Sequence, residues 1–200
     1  MNLPQKIKLL VGDLPYKIDD IGRSGDTILF YGDKYVLKIS NDCDRVRREC
    51  QKLRWFEGKL PTAKVIEYIE ENGKSYLLET KVQGVSLINV SSDKVINLLI
   101  EAISLLNDEK LKQCPFKSQD NQGKDFVHGD LCLPNIMTDG KKITGFIDLD
   151  NSGLGDKLYD ISWACWSLLY NLKDKKYIEE FLQKLKIDLP EEKYKQYVDY

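Results

Sequence analysis

Three oxygen-bearing side chains of this sequence have the spacing to act together. Asp130 and Asn135 stand in His128-Gly129-Asp130-Leu131-Cys132-Leu133-Pro134-Asn135-Ile136-Met137, and Asp148 follows in Gly145-Phe146-Ile147-Asp148-Leu149-Asp150. Each lies at the end of a short apolar piece, where a loop can aim it into a shared space. Hard cations such as Mg²⁺ take oxygen ligands, and a carboxylate with an amide carbonyl, completed by substrate phosphates, is enough to hold one. Asn135 and Asp148 are therefore the expected metal ligands. Asp130 is left to orient a hydroxyl and accept its proton during phosphoryl transfer, as the catalytic residue. Asp and Asn alone would mean little at this spacing, because both favour turns. The flanking His128, Gly129, Leu131, Pro134 and the Ile147-Asp148 pair make the set informative, with His128 read as a ring that holds the loop.

Phosphoryl transfer also needs a nucleotide anchor, and the first half of the chain offers one. Lys38 lies in the otherwise apolar Tyr35-Val36-Leu37-Lys38-Ile39, where an ammonium can reach phosphates. Eleven residues on, Glu49 falls inside the apolar stripe of a helix, between Cys50 and Leu53. A carboxylate there is costly unless paired, so an ion pair with Lys38 is expected. Upstream, Gly22, Ser24 and Gly25 join two strands and could lay backbone N–H groups over phosphates. Near Lys81 and Val82, backbone groups could bond an adenine edge.

The elements that must position these residues change character along the chain. Alternating segments at 7–11, 16–21, 27–31, 35–39, 63–69 and 75–80 predict an antiparallel sheet. One helix over 44–57 interrupts it. After Gly84 the apolar period becomes 3.6, predicting helices from Ser92 to Leu106, over 157–172 and over 177–185. A hairpin is expected around Ile136 and 143–147. The class is therefore α+β, with a β-rich N-terminal lobe over 1–82 and an α-rich C-terminal lobe over 83–200.

Composition narrows the alternatives. The 200 residues carry 30 Lys and Arg against 32 Asp and Glu, a net charge of −2, which disfavours a nucleic-acid partner held by phosphate neutralisation. No apolar run approaches the ~20 residues of a membrane span. The five cysteines form no CxxC or Cys/His cluster, so neither a zinc site nor a disulfide framework is expected. The start of the chain lacks the apolar stretch of a secretory signal, and a cytoplasmic monomer is expected.

With these residues named, the sequence resembles the aminoglycoside O-phosphotransferases of the 3′-hydroxyl type, the kanamycin kinases, which have the two-lobed protein-kinase-like fold. The likeness is carried by His128 to Met137, by Gly145-Phe146-Ile147-Asp148-Leu149-Asp150-Asn151-Ser152-Gly153 and the residues to Ser162, by Glu57-Gly58-Lys59-Leu60-Pro61, and by Cys114-Pro115-Phe116. It implies an enzyme that moves the γ-phosphate of ATP to a small-molecule hydroxyl with Mg²⁺, and antibiotic resistance with an aminoglycoside as acceptor. Asp130 would be the base, Asn135 and Asp148 would hold magnesium, and Lys38 paired to Glu49 would contact ATP. Gly22 to Gly25 would form the nucleotide loop, and Lys81 with Val82 the hinge. Asp156 and Asp160 would brace the catalytic loop. The resemblance also implies a departure: a helical insertion of very roughly fifty residues, which supplies acidic groups to the drug site, is reduced here to Lys117 to Val127. A kinase of another hydroxyl metabolite, or a weak nucleotide-binding module, are the alternative readings.

Overall fold

Period-two alternation in the first eighty residues builds five antiparallel strands, β1 Lys17–Asp19, β2 Thr27–Tyr31, β3 Tyr35–Ser40, β4 Val65–Glu71 and β5 Lys74–Thr80, in the order β1-β2-β3-β5-β4. One face of the sheet offers Leu29, Tyr31, Leu37, Ile39, Tyr76 and Leu78, which close over Ile7 and Val11 of α1, Gln5–Val11. Full burial of an aliphatic side chain of this size contributes ~1.5–3 kcal/mol. The opposite face carries Val36, Lys38, Leu77 and Glu79, with Lys38 beside Leu77 and Val36 beside Glu79. Helix α2, Cys43–Phe56, buries Val46, Glu49, Cys50, Leu53 and Phe56, and Asp42 caps it by accepting the Arg45 N–H at 3.0 Å.

In this computed structural model the chain divides into two units, Met1–Glu57 with Thr62–Val82, and Gly58–Pro61 with Gln83–Tyr200. The structure describes residues 3–19, 26–118 and 123–197. Segment 7–11, expected as a strand, is helical. Ile7 and Val11 are buried four residues apart while Leu9 is 74% exposed, a spacing that suits a helix lying on a sheet and not a strand. Gly58–Pro61 groups with the second unit, where the Phe146 N–H donates to the Pro61 carbonyl at 2.9 Å.

The second unit is organised by helices. Helix α3, Ser92–Leu106, buries Val95, Leu98, Leu99, Ala102 and Leu106 along one stripe. Helix α4 spans Lys157–Leu172, α5 Lys176–Leu185 and α6 Glu191–Tyr197. A three-stranded sheet joins β6, Val85–Ser86, to the hairpin of β8, Ile136–Thr138, and β9, Ile143–Phe146. Two further short strands, β7 Asp125–Val127 and β10 Gly153–Gly155, pair antiparallel. Among the described residues no helix is long and apolar enough to cross a membrane.

Candidate active site

The loop between β7 and β8 is held through its backbone N–H groups, which donate to two side chains of α4. Asp160, buried on α4, accepts the His128 N–H at 2.6 Å with one carboxylate oxygen and the Gly129 N–H at 2.9 Å with the other. Ser167, two turns further along α4, accepts the Leu133 N–H at 2.9 Å. The loop thus rests on one face of α4, which the seven-residue spacing of Asp160 and Ser167 aligns. Within it the Cys132 N–H donates to the Asp130 carbonyl at 2.8 Å and the Asn135 N–H to the Cys132 carbonyl at 2.9 Å, closing a tight turn around Pro134.

Asn135 is turned onto Asp130. Its side-chain NH₂ donates to the Asp130 backbone carbonyl and to the carboxylate Oδ2, both at 3.0 Å. With the amide nitrogen so used, the carbonyl oxygen is the end of Asn135 that can meet a cation. The backbone of Asn135 also fixes its other neighbour: its carbonyl accepts the Ile147 N–H at 3.0 Å, while the Ile147 carbonyl accepts the His128 Nε2–H at 3.1 Å. Both backbone polar groups of Ile147, the residue preceding Asp148, are therefore engaged. Asp148 itself has φ +59°, a left-handed conformation that Asp tolerates better than most residues.

Because a carbonyl only accepts, His128 carries its proton on Nε2. Burial pushes its basicity down, so the ring is neutral, as suits a support and not a base. Gly129 has φ +85°, and a Cβ there would stand 2.4 Å from the Asn151 carbonyl oxygen, so only glycine lets these two backbones approach. Asp160 has the bracing role that the resemblance implies. Asp156 caps α4, its side chain accepting the Leu158 N–H at 2.9 Å.

In the first unit, Lys38 and Glu49 form an ion pair, and Glu79 joins it with a carboxylate oxygen 3.4 Å from the Lys38 ammonium. Glu79 was missed by sequence reasoning, although a carboxylate ending the buried run Tyr76-Leu77-Leu78-Glu79 was a usable signal. Ser167 left no comparable trace, since a serine in a helix rarely announces a loop partner. The Lys81 N–H donates to the Lys34 carbonyl at 3.0 Å, so Lys81 can offer an adenine edge only its backbone carbonyl. Its side chain bridges to Asp33 at 2.6 Å. Gly22, Ser24 and Gly25 lie outside the described residues.

Comparison with known proteins bears on both units. Residues 109–194 match the model of the phosphotransferase enzyme family, APH. An aminoglycoside 3′-phosphotransferase of Niallia circulans is 26% identical over 98% of this chain and 95% of its own length, and one of Staphylococcus aureus is 27% identical over 96% and 90%. The solved structure of the Streptomyces rimosus aminoglycoside phosphotransferase APH(3″)-Id superposes with a TM-score of 0.79, at 17% identity, over 96% of this chain and 93% of that one. The chain resembles the aminoglycoside phosphotransferases in sequence and shares their fold. The same Streptomyces enzyme has also been solved in complex with ADP and streptomycin. Within this phosphotransferase fold the chain is short: the alignment with the Niallia circulans protein runs over 250 positions against a 200-residue sequence, leaving about fifty positions without a counterpart here.

The residues present suit a magnesium nucleotide. Among the described residues no group of three or more His, Cys, Asp or Glu side chains could hold a metal alone. A carboxylate and an amide oxygen on adjoining loops make the incomplete oxygen set that Mg²⁺ shares with phosphates.

Proposed function

We propose that this chain is an ATP- and Mg²⁺-dependent phosphotransferase that moves the γ-phosphate of ATP to a hydroxyl of a small molecule, the 3′-hydroxyl of an aminoglycoside first among acceptors. It would act as a cytoplasmic monomer and confer resistance. The observation that carries the reading is the Asn135 amide bonded to both the backbone and the carboxylate of Asp130, on a loop tied to the peptide before Asp148.

In this mechanism Asp130 orients the acceptor hydroxyl and takes its proton as the bond to phosphorus forms. Asn135 keeps one oxygen of Asp130 engaged, so that the other is directed at the acceptor. The Asn135 carbonyl and the Asp148 carboxylate would hold Mg²⁺, which when bound neutralises phosphate charge. Lys38, oriented by Glu49 and Glu79, would contact the nucleotide phosphates, with the 22–25 segment and the backbone at 81–82 completing the nucleotide site. Transfer is direct. Burial and the nearby Asp130 charge push the Cys132 thiol up, so the one cysteine beside the base is protonated at neutral pH and unfit as a covalent relay.

The test is coupled ADP release with kanamycin-type acceptors. Turnover should fall by ~10²–10⁴-fold in Asp130→Ala, while Mg·ATP still raises the melting temperature. The fifty or so positions without a counterpart favour a second reading, a kinase of another hydroxyl compound. A broad acceptor panel separates the two. Stabilisation by Mg·ATP with no turnover on any acceptor would overturn both and leave a nucleotide-binding module.

A further inference from the structure

A cavity of about 340 Å³ opens in the second unit between α3, α4 and the end of α5. Its lining is mixed: Leu106, Phe126 and Ile161 are buried and Ile187 is half-buried, and Asn107 is a polar member. Lys157, the first residue of α4, and Lys186, just past α5, line it as exposed cations. Among the described residues neither lysine has a carboxylate partner. Their neighbours do: Lys175 and Lys195 bond Glu191, Lys176 bonds Asp174 and Lys184 bonds Glu180. Asp160 also lines the cavity, but both its oxygens are taken by loop N–H groups.

We infer that this cavity binds a small organic acid, a single carboxylate on an apolar body, held by Lys157 and Lys186 at its head and by Leu106, Phe126 and Ile161 along its tail. The volume sits at the low end of the ~300–1,000 Å³ typical of small-molecule sites, which limits the ligand to a short body. Two cations against the single carboxylate of Asp160 give the cavity a net positive lining, which selects an anion over a neutral molecule of the same shape. The site is separate from the proposed phosphoryl-transfer residues and meets their loop only through Asp160, so its occupant reaches the loop from behind.

Calorimetric titration of the full chain with sodium octanoate tests this, with 1-octanol as the uncharged control of equal length. Saturable binding of one octanoate per chain is expected, with affinity at least about tenfold weaker for octanol, for the double variant Lys157→Ala/Lys186→Ala, and for the cavity-filling variant Ile187→Trp. The lysines are exposed, so the double variant should keep the melting temperature of the parent and report on charge alone. Equal affinity for octanol, or octanoate binding unchanged in both variants, overturns the inference. The readout uses no nucleotide and no turnover, so it stands or falls apart from the phosphotransferase reading.

Discussion

Asp160 and His128 lie thirty-two residues apart in sequence, yet the Asp160 Oδ2 accepts the His128 backbone N–H at 2.6 Å. Its other oxygen takes the next N–H, that of Gly129. One buried carboxylate thereby satisfies two donors that open the loop carrying Asp130. Asp160→Asn keeps the size but swaps one acceptor for a donor facing an N–H, at a cost of ~1–3 kcal/mol. Urea unfolding at pH 5 should show the loss, together with reduced turnover.

The same residue gives the fold a pH dependence. Burial pushes the Asp160 carboxyl up to about 7, above the ~3.9 of an unfolded aspartate. The native state therefore binds the proton more tightly, and the stability this contributes is full below about pH 4 and is lost as pH rises through 7. Unfolding free energy measured at pH 5 and pH 8 should decline across that interval in the parent by more than in Asp160→Asn. Equal slopes in the two proteins would contradict the assignment.

The Lys38 cluster predicts an order of damage. Lys38→Met leaves the buried carboxylates of Glu49 and Glu79 without their shared cation, whereas Glu49→Gln leaves Lys38 with Glu79 at 3.4 Å. Breaking a buried pair from one side costs ~3–5 kcal/mol. Lys38→Met should approach that figure and Glu49→Gln should cost less, in denaturant titrations of both single variants and the double. Nucleotide affinity should fall most in Lys38→Met.

Gly129→Ala would place a methyl group 2.4 Å from the Asn151 carbonyl oxygen at a φ of +85°. Strain of ~1–3 kcal/mol is expected from the backbone conformation alone. The collision adds to it and pushes the Asn151 segment away. Circular dichroism should show a folded protein with a lowered melting temperature, and turnover should drop by more than stability does.

Asn135→Ala removes both the proposed metal ligand and the amide that holds Asp130. The Mg²⁺ concentration for half-maximal turnover should rise about tenfold or more, with little change in melting temperature because Asn135 is only half-buried. A variant with an unaltered Mg²⁺ requirement would remove Asn135 from the metal site.

Much of this was legible in the sequence because it followed local rules. The stripe from Val95 to Leu106 and the helix Lys157–Leu172 repeat at 3.6 residues, and β2, Thr27–Tyr31, is a short β-branched and aromatic run, so each could be read from its own residues. The Lys38 and Glu49 pair was legible because a lone carboxylate in an apolar stripe demands a partner. What stayed hidden depended on distant chain. Helix α1 was mistaken for a strand because five apolar-rich residues fit either period, and only the sheet beneath shows which are buried. Strands β7 and β10 are three residues each, too short to carry a pattern, and define each other by pairing. Ser167 acts through one hydroxyl whose partner is thirty-four residues away.

The connection 117–127 begins and ends on the two flanks of a single strand. Leu154 is bridged on one side by Lys117 and paired on the other with Phe126, which sets those residues about two strand spacings, ~10 Å, apart. A gap that narrow tolerates a long excursion at small entropic expense, because closing a loop costs little more as it lengthens. The chain therefore has a ready grafting port: a foreign segment of about fifty residues spliced between Ser118 and Asp125 would start and end beside anchors that Leu154 already holds.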